Sequence, residues 1–127
     1  MKRYIILIFM LLPMLALFAQ KESRNVNAGN KHYKKEKFVE SEVEYRKGLE
    51  QNNSSFSANF NLGDALYRQE KYEDAAEAFE MAISIYPQFY DALFNLRDTY
   101  LELGNKTGAD ECSAIMKNLK KSGTIYG

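Results

Sequence analysis

Apolar residues between positions 56 and 87 recur with the period of an α-helix, in two successive runs. The first run places three apolar residues on one helix face: Leu62, Ala65 and Leu66. The second run places five at helical spacing: Ala75, Phe79, Ala82, Ile83 and Tyr86. Only Glu70 and Lys71 separate the runs, which leaves room for a tight turn alone. The pattern therefore predicts two antiparallel helices, and Pro87 ends the second.

The same pattern recurs at a constant offset on both sides of this central unit. Upstream, Asn27-Ala28-Gly29 corresponds to Asn61-Leu62-Gly63, and downstream Phe94-Asn95-Leu96 corresponds to Phe60-Asn61-Leu62. The recurrence predicts three units, about 22–55, 56–89 and 90–121, within a domain of residues 20–121, followed by a tail at 122–127. The helices are expected at about Arg24–Lys35, Phe38–Gln51, Ser57–Gln69, Tyr72–Tyr86, Phe89–Leu103 and Lys106–Lys121.

The predicted fold class is all-α, an α-solenoid of stacked antiparallel helix pairs, because a lone hairpin cannot bury its outer apolar face. Small residues at Gly63 and Ala75 mark where two helix axes approach closely. The third unit has Arg97 and Ser113 where the second has Gly63 and Phe79. We therefore expect less ideal packing in the third unit.

The spacing of the central unit resembles the tetratricopeptide repeat, a helical hairpin that recurs along the chain. Six residues carry the resemblance: Leu62, Gly63, Ala75, Phe79, Ala82 and Pro87. Asn59 and Leu66 stand where the family usually has Trp and Tyr. The resemblance implies a concave groove, lined by the first helix of each unit, that binds other polypeptides.

The segment from Met1 to Ala19 has the features of a secretory signal peptide. Lys2 and Arg3 precede an apolar run from Tyr4 to Phe18, and a small residue follows at Ala19. The run is shorter than the roughly 20 residues that span a bilayer, and Pro13 interrupts it. We expect cleavage after Ala19 and an exported, periplasmic protein. If the segment is retained instead, it would hold the chain at the inner membrane.

Composition excludes several classes of function. The loss of Lys2 and Arg3 takes the basic residues from 17 to 15, against 17 acidic residues, so no cationic surplus favours nucleic acid. His32 and Cys112 are the single residues of their types, so clustered metal ligands are not expected. No nucleophile motif or phosphate-binding loop is present. The chain is therefore predicted to be no enzyme and to need no cofactor.

Candidate partner-binding residues follow from the resemblance, which implies that certain first-helix positions face the groove. These are Val26, Asn30, Tyr33, Lys34, Phe60, Asp64, Tyr67, Arg68, Asp91, Phe94, Asp98, Leu101 and Glu102.

Among these residues, Val26, Phe60 and Phe94 are expected to form one apolar ladder, with a second one alongside it. The second ladder consists of Tyr33, Tyr67 and Leu101. Rigid aromatic side chains are typical anchors for protein partners, and the acidic residues favour a segment with some basic character. The alternative interpretation is that the aromatic residues serve packing and the acids keep the surface soluble.

One subclass of the family binds a partner's C-terminal carboxylate through basic residues. Val26, Asp91 and Asn95 occupy the places where those cations would stand, so a carboxylate would be poorly held.

Asn27, Asn61 and Asn95 recur at one place in all three units, and we interpret them as scaffold hydrogen-bonding residues.

Part of the chain is also similar to the tetratricopeptide proteins of the Bacteroides aerotolerance operon. The similarity lies in three segments, 28–33, 41–49 and 60–67, together with the ending Leu17-Phe18-Ala19-Gln20 of the apolar run. It implies an exported component of an envelope assembly that works with membrane-bound von Willebrand factor type A domain proteins. Two hypotheses follow: an adaptor that binds a partner in its groove, or a structural subunit that self-associates through its terminal repeats.

Overall fold

The computed structural model describes residues 2–123, which form six α-helices. Their bounds are α1 Lys2–Lys34, α2 Phe38–Gln51, α3 Phe56–Arg68, α4 Tyr72–Ile85, α5 Tyr90–Glu102 and α6 Lys106–Ser122. The helices from α2 to α6 begin and end close to their predicted bounds. Gly123 ends α6 in a left-handed conformation, with φ of 68°. Residues 124–127, most of the expected tail, lie outside the described part of the chain.

The helices pair in chain order and the pairs stack. α1 packs on α2, α3 on α4 and α5 on α6, while α2 contacts α3 and α4 contacts α5. α1 also contacts α3, and α3 contacts α5, whereas α2 and α4 do not come together. The row of α1, α3 and α5 is therefore the inner, concave side of the stack. The predicted all-α solenoid of helix pairs is confirmed.

The first helix is longer than predicted, because it begins at Lys2 and not near Arg24. The apolar run consists of residues that tolerate helix, and no glycine or cap separates it from the first repeat, so the helix passes through Pro13 and Ala19 without a break. The large apolar side chains described between Tyr4 and Phe18 are 43–75% exposed. Burial in the domain begins at Val26.

No helix within residues 2–123 combines the length and the apolar character that a membrane crossing requires.

The three hairpins turn in the same way. Glu36, Glu70 and Gly104, which occupy the same place in successive units, adopt left-handed φ values of 58°, 59° and 70°. In each turn the next residue donates its N–H to a carbonyl near the end of the preceding helix: Lys37 to His32, Lys71 to Leu66 and Asn105 to Tyr100. A left-handed conformation is costly for glutamate, so the packing of the two helices must impose it. The tight turn predicted at Glu70-Lys71 is confirmed.

Inside the first two hairpins an aromatic ring lies directly on a glycine. The ring of Phe79 from α4 covers Gly63 of α3, and the ring of Tyr45 from α2 covers Gly29 of α1. A methyl group added to Gly63 would lie 2.6 Å from Cε1 of Phe79, far inside van der Waals contact. These contacts explain why a glycine occupies this place in the first helix of both hairpins.

The third hairpin reverses this arrangement, with the ring on the first helix and the glycine on the second. The ring of Tyr100 from α5 lies against Gly108 of α6. A hollow of about 230 Å³ remains beside Arg97 and Ser113, where the other units place glycine and ring. These two places of the third unit therefore lack the contact between ring and glycine, and the less ideal packing expected of this unit stays a prediction. Cys112 is buried nearby, as expected of a small apolar residue.

Two glycines test the ring contact as a matched pair. Gly63→Ala should lower the free energy of unfolding by about 1–3 kcal/mol, because the new methyl group overlaps the Phe79 ring. Gly48→Ala should raise it by up to about 1 kcal/mol, because its nearest neighbour, Cγ2 of Val26, would be 3.5 Å away and helix propensity improves. Urea unfolding of both variants measures the difference. Equal stability of the two would contradict the close approach.

Candidate functional site

Two adjoining hollows lie on the concave side, between α1, α3 and α5. The first hollow, of about 200 Å³, is lined by Asn30, Tyr33, Lys34, Tyr45, Asn61 and Asp64. The second hollow, of about 290 Å³, is lined by Tyr33, Asp64, Tyr67, Arg68, Phe79, Asn95 and Asp98. Tyr33 and Asp64 belong to both hollows, so they stand at the centre of the concave surface.

Seven of the predicted groove residues meet at these hollows: Asn30, Tyr33, Lys34, Asp64, Tyr67, Arg68 and Asp98. Asp91, Leu101 and Glu102 are exposed on α5 and line neither hollow. Leu101 is 57% exposed, which leaves an apolar side chain at the open end of the groove.

The expected apolar ladder of Val26, Phe60 and Phe94 does not form. Val26 is only 9% exposed and belongs to the core, because α1 lies close to Gly48 of α2 at that point. Phe60 packs into an aromatic cluster, with ring centroids 5.5 Å from Phe89 and 5.7 Å from Phe56. Phe94 is exposed, and the guanidinium of Arg97 lies 4.3 Å above its ring. The ladder therefore lacks Val26, its first member.

Two of the three members of the second ladder, in contrast, lie close together in the structure. Tyr33 and Tyr67 both line the second hollow. Each ring is held by the first aromatic residue of the following helix, with Tyr33 5.2 Å from Phe38 and Tyr67 5.3 Å from Tyr72, centroid to centroid. Edge-to-face contacts of this kind fix ring orientation. The two tyrosines are therefore rigid walls of the second hollow.

Hydrogen bonds between units join the inner helices at equivalent places. Nδ2 of Asn61 donates to Oδ1 of Asn30 at 3.1 Å, and Nδ2 of Asn95 donates to Oδ1 of Asp64 at 2.8 Å. The hydroxyl of Tyr45 also donates to Oδ1 of Asn30, at 2.7 Å. The predicted scaffold role of Asn61 and Asn95 is confirmed. Both also line a hollow, which sequence reasoning missed although their recurrence from unit to unit was visible.

Asp64 has a carboxyl group in a partly buried position. Burial raises the pKa of its carboxyl from 3.8 to about 6, and the nearby charge of Asp91 adds to the rise, while the hydrogen bond from Asn95 opposes it. Within residues 2–123 no Lys or Arg forms an ion pair with Asp64. At neutral pH the carboxyl is therefore mostly ionised and lacks a cationic partner from this part of the chain.

Two arginines of α3 and α5 are engaged elsewhere, whereas Lys34 lines the first hollow together with Asp64. Nη2 of Arg97 lies 2.9 Å from Oδ1 of Asp98. The guanidinium of Arg68 lies 4.4 Å above the ring of Phe38 and 3.8 Å from Glu36. Among residues 2–123, no three side chains of His, Cys, Asp or Glu come together in a way that could hold a metal ion.

Replacing the charge of Asp64 should make the fold more stable at neutral pH. Because the folded pKa is raised, the folded state holds the proton more tightly than the unfolded state, and wild-type stability falls as pH rises from about 4 to above 6. Asp64→Asn keeps the acceptor for Asn95 and should gain up to about 3 kcal/mol at pH 7.5, with little gain at pH 3.5. Urea unfolding at both pH values measures this. A gain independent of pH would contradict the assignment.

Comparison with known proteins places the fold. The tetratricopeptide repeat family model matches residues 26–89 and again residues 62–114. The first tetratricopeptide domain of Spaghetti (RPAP3), bound to the HSP90 peptide SRMEEVD, has a TM-score of 0.76 at 20% identity, covering 80% of this chain and 81% of that one. The corresponding domain of Arabidopsis FLU has a TM-score of 0.73 at 21% identity, with coverages of 82% and 98%.

A third structure, the R50E mutant of MamA, has a TM-score of 0.72 at 19% identity and covers 77% of this chain and 72% of that one. No curated protein sequence matches the chain. The two matches of the family model together reach from residue 26 to residue 114, which is more than half of the chain. The chain therefore belongs to the tetratricopeptide repeat family.

Proposed function

We propose that this protein is a non-enzymatic interaction module that binds a segment of a partner polypeptide in the groove formed by α1, α3 and α5. The proposal rests on three residues of the groove. Tyr33 and Tyr67 are held in fixed orientations in the second hollow. Beside them lies the carboxylate of Asp64, which has no ion-pair partner among residues 2–123. Members of this family typically serve as interaction modules, and the related Spaghetti (RPAP3) domain was solved with a bound peptide.

The chemistry of the groove favours a different ligand from the acidic HSP90 peptide SRMEEVD bound by that relative. Val26 is buried, and Asp91 and Asn95 stand where a carboxylate-binding groove would carry cations. A C-terminal carboxylate would meet the charge of Asp64, and neither Asp91 nor Asn95 supplies a cation to offset it. The partner segment is therefore apolar or basic in character, and it does not dock through an acidic end.

The proposed setting is the cell envelope. The large apolar side chains described between Tyr4 and Phe18 are exposed in the long first helix, and surface of that size is normally removed or covered. Cleavage after Ala19 removes it and delivers an exported, periplasmic domain, whereas retention leaves the domain attached at the inner membrane. The similarity to aerotolerance proteins favours membrane-bound von Willebrand factor type A domain proteins as partners, in an envelope aerotolerance or stress complex.

A structural subunit that self-associates is the second candidate. Its support is the set of apolar side chains left exposed on the last hairpin: Phe94, Leu101 and Ile115. A terminal repeat with such a surface is suited to stacking on a second copy.

Photocrosslinking in cells distinguishes these functions. A benzoylphenylalanine at Tyr67, inside the groove, should give adducts with a heterologous protein after irradiation, because it replaces a wall of the second hollow. The matched control is the same residue at Met81, which is exposed on the outer helix α4. Adducts from both sites in equal yield would refute groove binding. An adduct at twice the mass of the chain would favour the self-associating subunit.

Export is tested by the mass of the protein recovered from the periplasm. We expect the mature chain to begin at Gln20, since Ala19 supplies the small residue at the cleavage point. Ala19→Arg should block cleavage and leave the chain in the membrane fraction, whereas Ala28→Arg, outside the signal, serves as the control for processing. Full-length protein in the cytoplasm would contradict export.

A further inference from the structure

Asn30, Asp64 and Asp98 occupy the same place in the three successive units. Asn30 and Asp64 also do the same structural work, because each accepts a hydrogen bond from the asparagine of the next unit. The neutral amide of Asn30 suffices for that bond. The negative charge of Asp64 is therefore not needed to stack the units.

The charge of Asp64 is moreover unfavourable to the free protein. The carboxyl is partly buried, and burial raises its pKa to about 6. A charged group retained in such a place without a cation commonly marks a functional site. Since residues 2–123 supply no ion pair to Asp64, a positive charge from a bound partner would complete the site.

The second hollow has the shape and lining to supply the rest of a cation site. Tyr33 and Tyr67 provide aromatic walls, along which the methylene stem of a long basic side chain can pack. Asp98 adds a second carboxylate on the same hollow, although its Oδ1 already accepts from Arg97. The side-chain oxygen of Asn95 is a further acceptor, since its Nδ2 is used on Asp64.

We propose that the second hollow is a pocket for one lysine or arginine side chain of the bound partner segment, with the cation placed on Asp64 between the rings of Tyr33 and Tyr67. The inference rests on the proposed groove function and specifies its ligand chemistry. The cation becomes the ion-pair partner of Asp64, and the tyrosine walls select a long side chain over a short one.

The remaining charges near Asp64 are compatible with this pocket. Lys34 of α1 lines only the first hollow, so it leaves the second hollow open. Arg68 of α3 is held over Phe38, as described above. Phe79 is the residue that α4 contributes to this hollow, and it carries no charge. Besides the walls Tyr33 and Tyr67, the described titratable groups that act on or line the site with Asp64 are Tyr45 of α2 and Asp91 and Asp98 of α5.

The probe for this pocket is Nα-acetyl-lysine amide, titrated into the ¹⁵N-labelled protein and followed by NMR. Its apolar counterpart, Nα-acetyl-norleucine amide, controls for stacking on the tyrosines. A probe of this size binds with a dissociation constant of about a millimolar. We expect saturable shifts of the Asn95 side-chain amide and of the backbone amides near Asp64 with lysine, and none with norleucine.

Two charge-removing variants separate contact from distant electrostatics. Asp64→Asn should weaken lysine binding about tenfold, because a charge-assisted contact is lost while the bond to Asn95 is kept. Asp91→Asn removes the same charge from an exposed place outside both hollows and should leave binding within about twofold. Wild-type binding should also weaken about tenfold from pH 7.5 to pH 5, as Asp64 takes up its proton.

Absence of saturable lysine shifts, equal binding of norleucine, or equal loss in both variants would each overturn the pocket. Photocrosslinking at Tyr67 keeps this result separate from the function of the groove. Adducts that persist unchanged in Asp64→Asn, together with failed lysine binding, would leave the interaction module in place and remove only the cation pocket. Loss of the adducts in Asp64→Asn alone, with Asp91→Asn unaffected, supports the pocket in the intact protein.

Discussion

The contact between an aromatic ring and a glycine is the constraint on which the rest of this structure depends. With Phe79 seated on Gly63, and Tyr45 on Gly29, the two helices of a hairpin are held close together. Interiors packed at this density respond to single methyl groups, so the contact leaves little freedom in the distance between helices. The left-handed conformations of Glu36 and Glu70 follow, since a short turn must join helices at that spacing.

Stacking of the hairpins produces the groove, and the same hydrogen bonds that join the units place its polar groups. Asn61 reaches back to Asn30, and Asn95 reaches back to Asp64. A scaffold contact and a surface feature thus coincide at one position of the repeat. Changing that position from asparagine to aspartate keeps the stacking bond and adds a partly buried charge. The repeat can therefore acquire ligand preference at a single side chain without losing its architecture.

The helices from α2 to α6 were closely predictable because their signals are local. Helical periodicity, the short turn at Glu70-Lys71 and the breaker Pro87 all lie within one hairpin. The start of α1 was missed for the same reason, since no local signal ends the helix between the apolar run and the first repeat. The structure brings Tyr33, Asp64 and Tyr67 together at the groove. The predicted apolar ladder of Val26, Phe60 and Phe94 was wrong, because Val26 belongs to the core.

The sequence by itself determined the helix pairs, their regular recurrence and the family, because these depend on spacing along the chain. Only the tertiary structure decided which side chains face the groove, since exposure depends on what the neighbouring helices place against each position. Val26 is covered by α2, and Phe60 is taken up by a cluster that includes Phe89 from beyond the next helix. The lack of an ion pair at Asp64 among residues 2–123 is likewise a property of the assembled fold, because charge pairing is set by distances in space.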